Sequence, residues 1–452
     1  MVEILISLIL AVTLALGIPP QGASDPVATF DAAWEIVNQT HFDGEFNGVD
    51  WVAVRDELLQ RAEEAQSADE LREVINEMLG RLGQSHFRLW PTGTGGASTM
   101  SLPTQRAAAG EVREGGGGRG DDLSGQVGFG VVFLEGRFLV RQVDEDSPAA
   151  DAGVQPGWVV LTPLAAELSG EIRSLSGEPG EVAARARAAD AVVADLDGSP
   201  GSKVEVAFLD ASDDLVKVEI ERRRPSGGEM MKFGNLPPLR AHMDHRRIAG
   251  SDGEDFGLIQ FNIWLPLLAA SFDRAINDLR DVDGMIIDLR GNRGGLGAMV
   301  MGTAGHFLDE PVSLGTMQMR DNELRYVTNP RRVNRSGERV EPFAGPLAIL
   351  VDGSTASTSE VFAGGLQAVG RARIFGQTTM GAVLPSLLDR LPNGDVLQHA
   401  IADFATADGR QLEGHGVIPD ERIILEREDL ADGHDATLAA AIAWMKEESA
   451  RR

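Results

Sequence analysis

The stretch that most restricts the fold is residues 346–366. An apolar run, 346–351, ends at Gly353-Ser354-Thr355-Ala356-Ser357-Thr358-Ser359-Glu360, and a second apolar run, 361–366, follows. The first run reads as a buried strand and the second as the start of a helix. A serine at a strand-to-helix turn can present its hydroxyl to a cleft, with backbone N–H groups pointing the same way. It can equally be a helix cap and nothing more. The pattern recurs upstream. The buried run 284–289 leads into Asp288-Leu289-Arg290-Gly291-Asn292-Arg293-Gly294-Gly295, and 298–308 then reads as a helix. Repeated alternation of strand and helix between about 254 and 427 argues for an α/β core.

The rest of the chain divides around that core. Residues 1–23 hold a short apolar run, 4–18, with small residues at Ala15, Gly17, Gly22 and Ala23. The run is too short for a confident span and suits a secretory signal, implying export to a periplasmic or extracellular space. An uncleaved N-terminal anchor is the alternative, because Glu3 lies near the start and the first basic residue is Arg55. Residues 25–90 read as a helical domain. Asp50 is a candidate cap, and Ser67-Ala68-Asp69-Glu70 has the form of a capping box. Residues 91–124, with Gly115-Gly116-Gly117-Gly118, read as a linker. Residues 125–224 hold several strand-like runs, with 203–208 and 215–220 alternating as a hairpin does. Residues 225–252 read as a polar, irregular bridge, 253–430 as the α/β core and 431–452 as a C-terminal helix.

Composition excludes several chemistries. The 452 residues carry a formal net charge of −28, which disfavours a nucleic-acid partner. There is no cysteine, so disulfides, thiolate catalysis and Cys-ligated zinc are all excluded. No cofactor is called for. His242 and His245 lie three apart, but with no third ligand nearby they read as a solvated pair rather than a metal site.

A serine nucleophile needs a base. Lysine occurs only at 203, 217, 232 and 446, so the α/β core before its terminal helix offers none. Histidine remains. Among the eight, His86 follows Ser85 at a helix terminus and is flanked by Phe87 and Leu89, while His415 lies nearest a second motif and is held in reserve. The glycines of 291–295 allow close backbone approach to an anion. That turn matches neither a P-loop nor a dinucleotide fingerprint, which leaves an oxyanion hole or a plain tight turn as its readings.

Taken together the motifs resemble a known family. The 288–295 turn looks like D-L-R-x-N-x-G-G, and 353–360 looks like G-S-A-S-A-S-E. Residues 409–420 look like G-x-x-x-E-G-x-G-V-x-P-D, and Ser85-His86 looks like the end of L-G-D-S-H. These are motifs of the tail-specific, or C-terminal-processing, serine peptidases, which include the tricorn core protease. The resemblance implies an α/β fold: a crotonase/Clp-protease-like core with an N-terminal helical domain and a PDZ-like domain at 125–224. It implies Ser357 as nucleophile. Where one branch has lysine in T-F-G-K-G, this chain has Thr379-Met380-Gly381-Ala382-Val383. The tricorn-like branch instead uses a serine-preceded histidine and a glutamate, which match Ser85, His86 and Glu413. The oxyanion hole then falls to Gly294 or Gly295 and Thr358, and Ser354 and Ser359 are left as caps.

The resemblance further implies peptide binding at Gly128, Phe129 and Gly130, although Trp158 stands where the family has Asp. It implies a polypeptide substrate, unstructured or tail-exposed, and leaves self-association open. The alternatives are a non-hydrolytic peptide- or lipophile-binding protein that keeps the fold, and an esterase.

Overall fold

Three side-chain caps start the N-terminal helices. Asp25 Oδ1 accepts from Val27 N before α1 (Pro26–Thr40), Asp50 from Ala53 N before α2 (Trp51–Glu64), and Ser67 from Glu70 N before α3 (Ala68–Gly80). At Ser67 the box is only half reciprocal, because Glu70 accepts from Gln66 N one residue earlier. Phe30, Val37, Trp51, Leu58, Ile75 and Met78 share one buried core. The chain then enters β1 (Arg88–Trp90), which pairs antiparallel with a distant strand described below. The computed structural model describes residues 25–91, 125–178, 180–225, 227–232, 238–251 and 253–451. The expected signal segment and nearly all of the expected linker lie outside these residues.

A second core forms around β2 (Phe129–Leu134), β3 (Arg137–Val143), α4 (Pro148–Asp151), β4 (Val159–Leu161), α5 (Pro163–Ser174), α6 (Glu181–Ala194), β5 (Lys203–Leu209) and β6 (Leu215–Glu221). The sheet order is β2-β3-β4-β5-β6, so β2 is an edge strand, and α6 packs beside it. The expected hairpin is β5–β6, in register from Lys203↔Glu221 to Leu209↔Leu215.

The bridge 225–252 is not irregular throughout. After β7 (Glu229–Met231) and β8 (Leu239–Ala241), β9 (Met243–Ala249) pairs antiparallel with β10 (Asp255–Phe261). Its polar run escaped recognition because an edge strand need bury little of itself. After α7 (Ala269–Asp278) come β11 (Gly284–Asp288), the short α8 (Met299–Ala304), β12 (Ser313–Gln318), β13 (Glu323–Val327) and β14 (Leu347–Val351). Next are α9 (Thr358–Ala368), β15 (Arg373–Gly376), β16 (Ser386–Arg390), β17 (Val396–Ala400), β18 (Asp403–Thr406) and β19 (Glu421–Arg422). Finally, α10 (Arg427–Asp432) and α11 (Ala436–Arg451) close the chain.

The central sheet runs β19-β15-β14-β11-β10-β9, parallel throughout except for β9. Every residue of β11 and β14 is buried, as a parallel sheet covered on both faces requires. On one face α11 sets Ala441 and Met445 against Phe256, Ile286 and Phe375. On the other, Phe362 of α9 joins Ile287, Ile349 and Trp264. The strand-rich segment 396–404 splits in two: β17 pairs with β1 and β16, and β18 pairs with β12. Residues 25–90 therefore reach the core through β1–β17, reinforced by Arg72, whose Nε and Nη2 hold Asp395 at 2.8 and 2.9 Å.

Candidate active site

β14 delivers the serine-rich turn. Asp352 follows the strand, and its Oδ1 accepts from Gly291 N and Ser354 N at 3.0 and 2.9 Å, while its own N–H donates to Thr355 Oγ1 at 3.0 Å. One carboxylate thus holds both glycine- and serine-rich turns. Thr355 Oγ1 also donates to Leu289 O at 2.9 Å. Ser357 follows with φ 57° and ψ −121°, an uncommon conformation for a residue with a side chain, and is the N-cap residue of α9.

The helix therefore starts at Thr358, three residues ahead of the sequence expectation. Neither Ser354 nor Ser359 is its cap. Ser359 is buried in the first turn, where its Oγ accepts from Trp264 Nε1 at 2.9 Å.

Two groups hold Ser357 in that conformation. Its N–H donates to Ala382 O at 2.8 Å and to Glu360 Oε2 at 3.0 Å. The buried Glu360 carboxylate also accepts from Ala382 N, Gly381 N and Thr379 Oγ1, at 3.0, 2.8 and 2.5 Å. Burial pushes its pKa up to about 7 against those four donors. Ala382 is buried and contributes its backbone N–H and C=O to this network.

Gly294 lies directly against this turn. A Cβ there would stand 2.7 Å from Ser357 Cβ and 2.9 Å from Thr358 N. Its own N–H is taken by Asn292 Oδ1 at 2.9 Å, so Gly294 is not a free donor. Gly295, at φ 141°, bridges to Trp264 through its neighbours, with Trp264 N donating to Gly294 O and Leu296 N to Trp264 O. Among the described residues, the N–H groups of Gly295 and Thr358 have no acceptor. Thr358 Oγ1 donates to Gly295 O at 2.9 Å and ties the two segments together.

The helical region supplies the other half of the cleft. Ser85 donates its N–H to Glu413 Oε1 at 2.8 Å and its hydroxyl to Glu413 Oε2 at 3.0 Å. Its Oγ lies 2.7 Å from His86 Nδ1. The hydroxyl proton is committed to the carboxylate, so the oxygen accepts from Nδ1–H and Nε2 keeps its lone pair. Glu413 is fixed in turn by Val383 N at 2.9 Å, and burial raises its pKa. His86 has φ 62°, and desolvation together with the nearby Arg88 guanidinium lowers its pKa to about 4. Ser357, His86, Glu413, Gly294, Gly295 and Thr358 line one open cleft of about 3690 Å³. Among the described residues no hydrogen bond joins Ser357 Oγ to His86.

The remaining expectations fall outside this group. His415 is exposed, with Nδ1 on Glu413 O of its own turn at 2.8 Å. His245 pairs with Asp278, and no set of three metal-ligating side chains occurs among the described residues. Gly128, Phe129 and Gly130 border the same cleft at the β2 edge. Gly128, at φ 82°, is required there because a Cβ would lie 2.3 Å from Ser147 Cβ.

Glu360 was present in the quoted motif without a role, and Asp352, between the run 346–351 and that motif, was passed over. His41 was not singled out at all. It is fully buried, its Nε2 lies 2.9 Å from Gln84 Oε1, and its ring stacks on Phe87 beneath the Ser85-His86 turn.

Comparison with known proteins places the chain among peptidases. Residues 255–423 match the family described as Peptidase family S41, and residues 27–80 match the Tricorn protease C1 domain. The chain is 27% identical over 395 residues to a carboxyl-terminal-processing protease of Picosynechococcus sp., covering 86% of this chain and 81% of that protein. It is 24% identical over 410 residues to the chloroplastic carboxyl-terminal-processing peptidase 2 of Arabidopsis thaliana, covering 89% and 70%.

Solved structures share the fold, among them two that cover nearly the whole chain. The photosystem II D1 C-terminal processing protease superposes with a TM-score of 0.54 at 21% identity, over 90% of this chain and 94% of that one. Mature CPAF complexed with lactacystin gives 0.59 at 13% identity, over 94% and 97%.

Proposed function

The chain belongs to peptidase family S41 and is a serine-type peptidase, and from that premise we propose that it is an endopeptidase with Ser357 as nucleophile and His86 as general base. Its substrates are unstructured or tail-exposed polypeptides. The observation that carries the reading is the Glu413–Ser85–His86 chain of hydrogen bonds, which leaves His86 Nε2 free to accept a proton. Ser357 Oγ attacks the peptide carbonyl as its proton passes to Nε2. Glu413 and Ser85 stabilise the resulting imidazolium and fix its tautomer, as the third member of a triad does. The N–H groups of Gly295 and Thr358 stabilise the oxyanion at the positive end of α9. His86 then protonates the departing amine, and water repeats the sequence on the acyl-enzyme. The low pKa of His86 keeps the base unprotonated at neutral pH.

In this reading residues 125–224 are a PDZ-like domain, and the core is crotonase-like. An extended peptide adds to the free edge of β2 beside α6, with Gly128, Phe129 and Gly130 at its carboxylate end. The N-terminal segment directs export.

A fluorophosphonate probe tests the assignment. Labelling of the wild-type chain at neutral pH should vanish in Ser357→Ala and fall at least about a hundredfold in rate in His86→Ala. Labelling that survives His86→Ala would remove His86 as the base. No labelling of the wild type would favour a binding protein that keeps the fold.

A further inference from the structure

Arg88 lies two residues beyond His86 on β1 and lines the same cleft. It is only 9% exposed, and its Nε is buried without a hydrogen-bond partner. The guanidinium carbon stands 3.3 Å from the centroid of the Trp90 ring, so its plane is held by an aromatic face rather than by an anion. Trp90 is fixed in turn, its Nε1 donating to Gln398 Oε1 at 3.3 Å. No carboxylate forms an ion pair with Arg88 among the described residues. The nearest acidic influence is Asp190 on α6, which is already engaged by Arg293 at 2.6 Å. Arg187, also on α6 and on the cleft wall, likewise has no ion pair among the described residues, and burial beside Arg293 lowers its pKa.

A guanidinium taken out of water without a counter-ion is costly, because its donors lose hydration and gain nothing. Four other partly buried arginines do not stand that way. Arg72, Arg141, Arg290 and Arg293 each meet a carboxylate. An arginine left unpaired beside the reacting centre is what a site awaiting an anionic substrate group requires.

We propose that Arg88 is a specificity-determining residue that binds a carboxylate of the substrate close to the scissile bond, with Arg187 as a second cation on the facing helix. This deepens the peptidase reading and rests on it. The carboxylate comes either from an Asp or Glu side chain flanking the bond or from a chain terminus a residue or two beyond it. The planar fork of the guanidinium suits either source.

The test uses the full chain and pairs of fluorogenic peptides that differ by Glu or Gln at one position, scanned through three residues on each side of the bond. Each peptide is made with a free and with an amidated C-terminus. At one position the wild type should favour Glu over Gln by about tenfold or more in kcat/KM, the size expected for a hydrogen bond to a charged group. Arg88→Gln should bring that ratio to near one, while Arg88→Lys should retain part of it. A preference that follows the side chain assigns the first source, and one that follows the free terminus assigns the second.

Each ratio is taken within one enzyme, so partial misfolding of a variant cancels. Equal rates for Glu and Gln throughout with no effect of amidation, or a preference that survives Arg88→Gln, would overturn the proposal. So would Arg88→Gln lowering both members of every pair alike, since that is a structural role.

Equilibrium binding of the same peptides to Ser357→Ala reads the subsite without turnover. If the wild type cuts no peptide, the peptidase reading fails. A Glu/Gln affinity ratio near tenfold that collapses in Ser357→Ala/Arg88→Gln would then still support the subsite, and a ratio near one would overturn it.

Discussion

Glu360 shows how much of the site depends on a residue that never meets the substrate. Its four donors come from Ser357, Thr379, Gly381 and Ala382, so one carboxylate sets both the Ser357 turn and the 379–382 segment. Glu360→Gln puts an NH₂ group against two of those donors. The cost should be about 2–4 kcal/mol in denaturant unfolding, with a fall in kcat larger than any rise in KM. Gly294 acts by what it lacks. Gly294→Ala forces a methyl against Ser357 and Thr358 at a φ of 91°, and kcat should drop by about 10²–10³ with the probe reaction at Ser357 falling in step. In the proposed mechanism His86 sets the acid limb. With its pKa lowered to about 4, kcat/KM should hold as pH falls through the ordinary histidine range and decline only near pH 4. The same shift bears on stability. The unfolded chain protonates His86 near pH 6.5 and the folded chain only near 4, so its contribution is complete above 6.5 and is lost as pH falls between them.

At the level of elements, the sequence was most legible where periodicity and caps agree. The helices of 25–80 begin at the expected Asp50 and Ser67, and β11 and β14 are the apolar runs read as buried strands. It was least legible where an element is polar, short or paired far away. β9 carries charged residues on an open edge, and the β12–β13 hairpin, largely half-buried or exposed, has the distant β18 as its one further sheet partner among the described residues, so no local pattern announced them. Without the family likeness, the serines at 354, 357 and 359 were inseparable as candidate caps, and the likeness left the wrong two, Ser354 and Ser359, in that role. The distinction between them lies in a φ value and in the reach of Trp264, which are tertiary facts. The proposed pairing of Ser357 with His86 was visible only through family likeness, because the two residues are 271 positions apart (357 minus 86) and reach one cleft through tertiary contacts such as β1–β17. That junction can be loosened without touching the site. Arg72→Ala removes the bidentate contact to fully buried Asp395 and, because Arg72 is itself partly exposed, should lower stability by about 1–3 kcal/mol. Because Ser85 and His86 ride on the same docking, kcat should fall too, while the wild-type pH profile keeps its shape.

For the molecule as a whole, a net charge of −28 sets a long-range field that opposes the local chemistry of the cleft. An acidic peptide approaching from solution meets repulsion before it meets Arg88 and Arg187. The two effects differ in range, and salt separates them. The screening length is about 30 Å at 0.01 M and about 8 Å at 0.15 M, so moderate salt removes most of the distant repulsion yet leaves a buried contact nearly intact. Raising salt over that interval should therefore increase kcat/KM for peptides of net negative charge and decrease it for positive ones, mainly through the association rate. Isomeric peptides of identical composition, with one Glu moved along the sequence, experience the same distant field. Their relative rates should keep the same order at both salt concentrations if the discrimination arises within the cleft. If the order flattens in step with the overall rate, the field alone selects substrates, and the arginines beside His86 serve only the architecture.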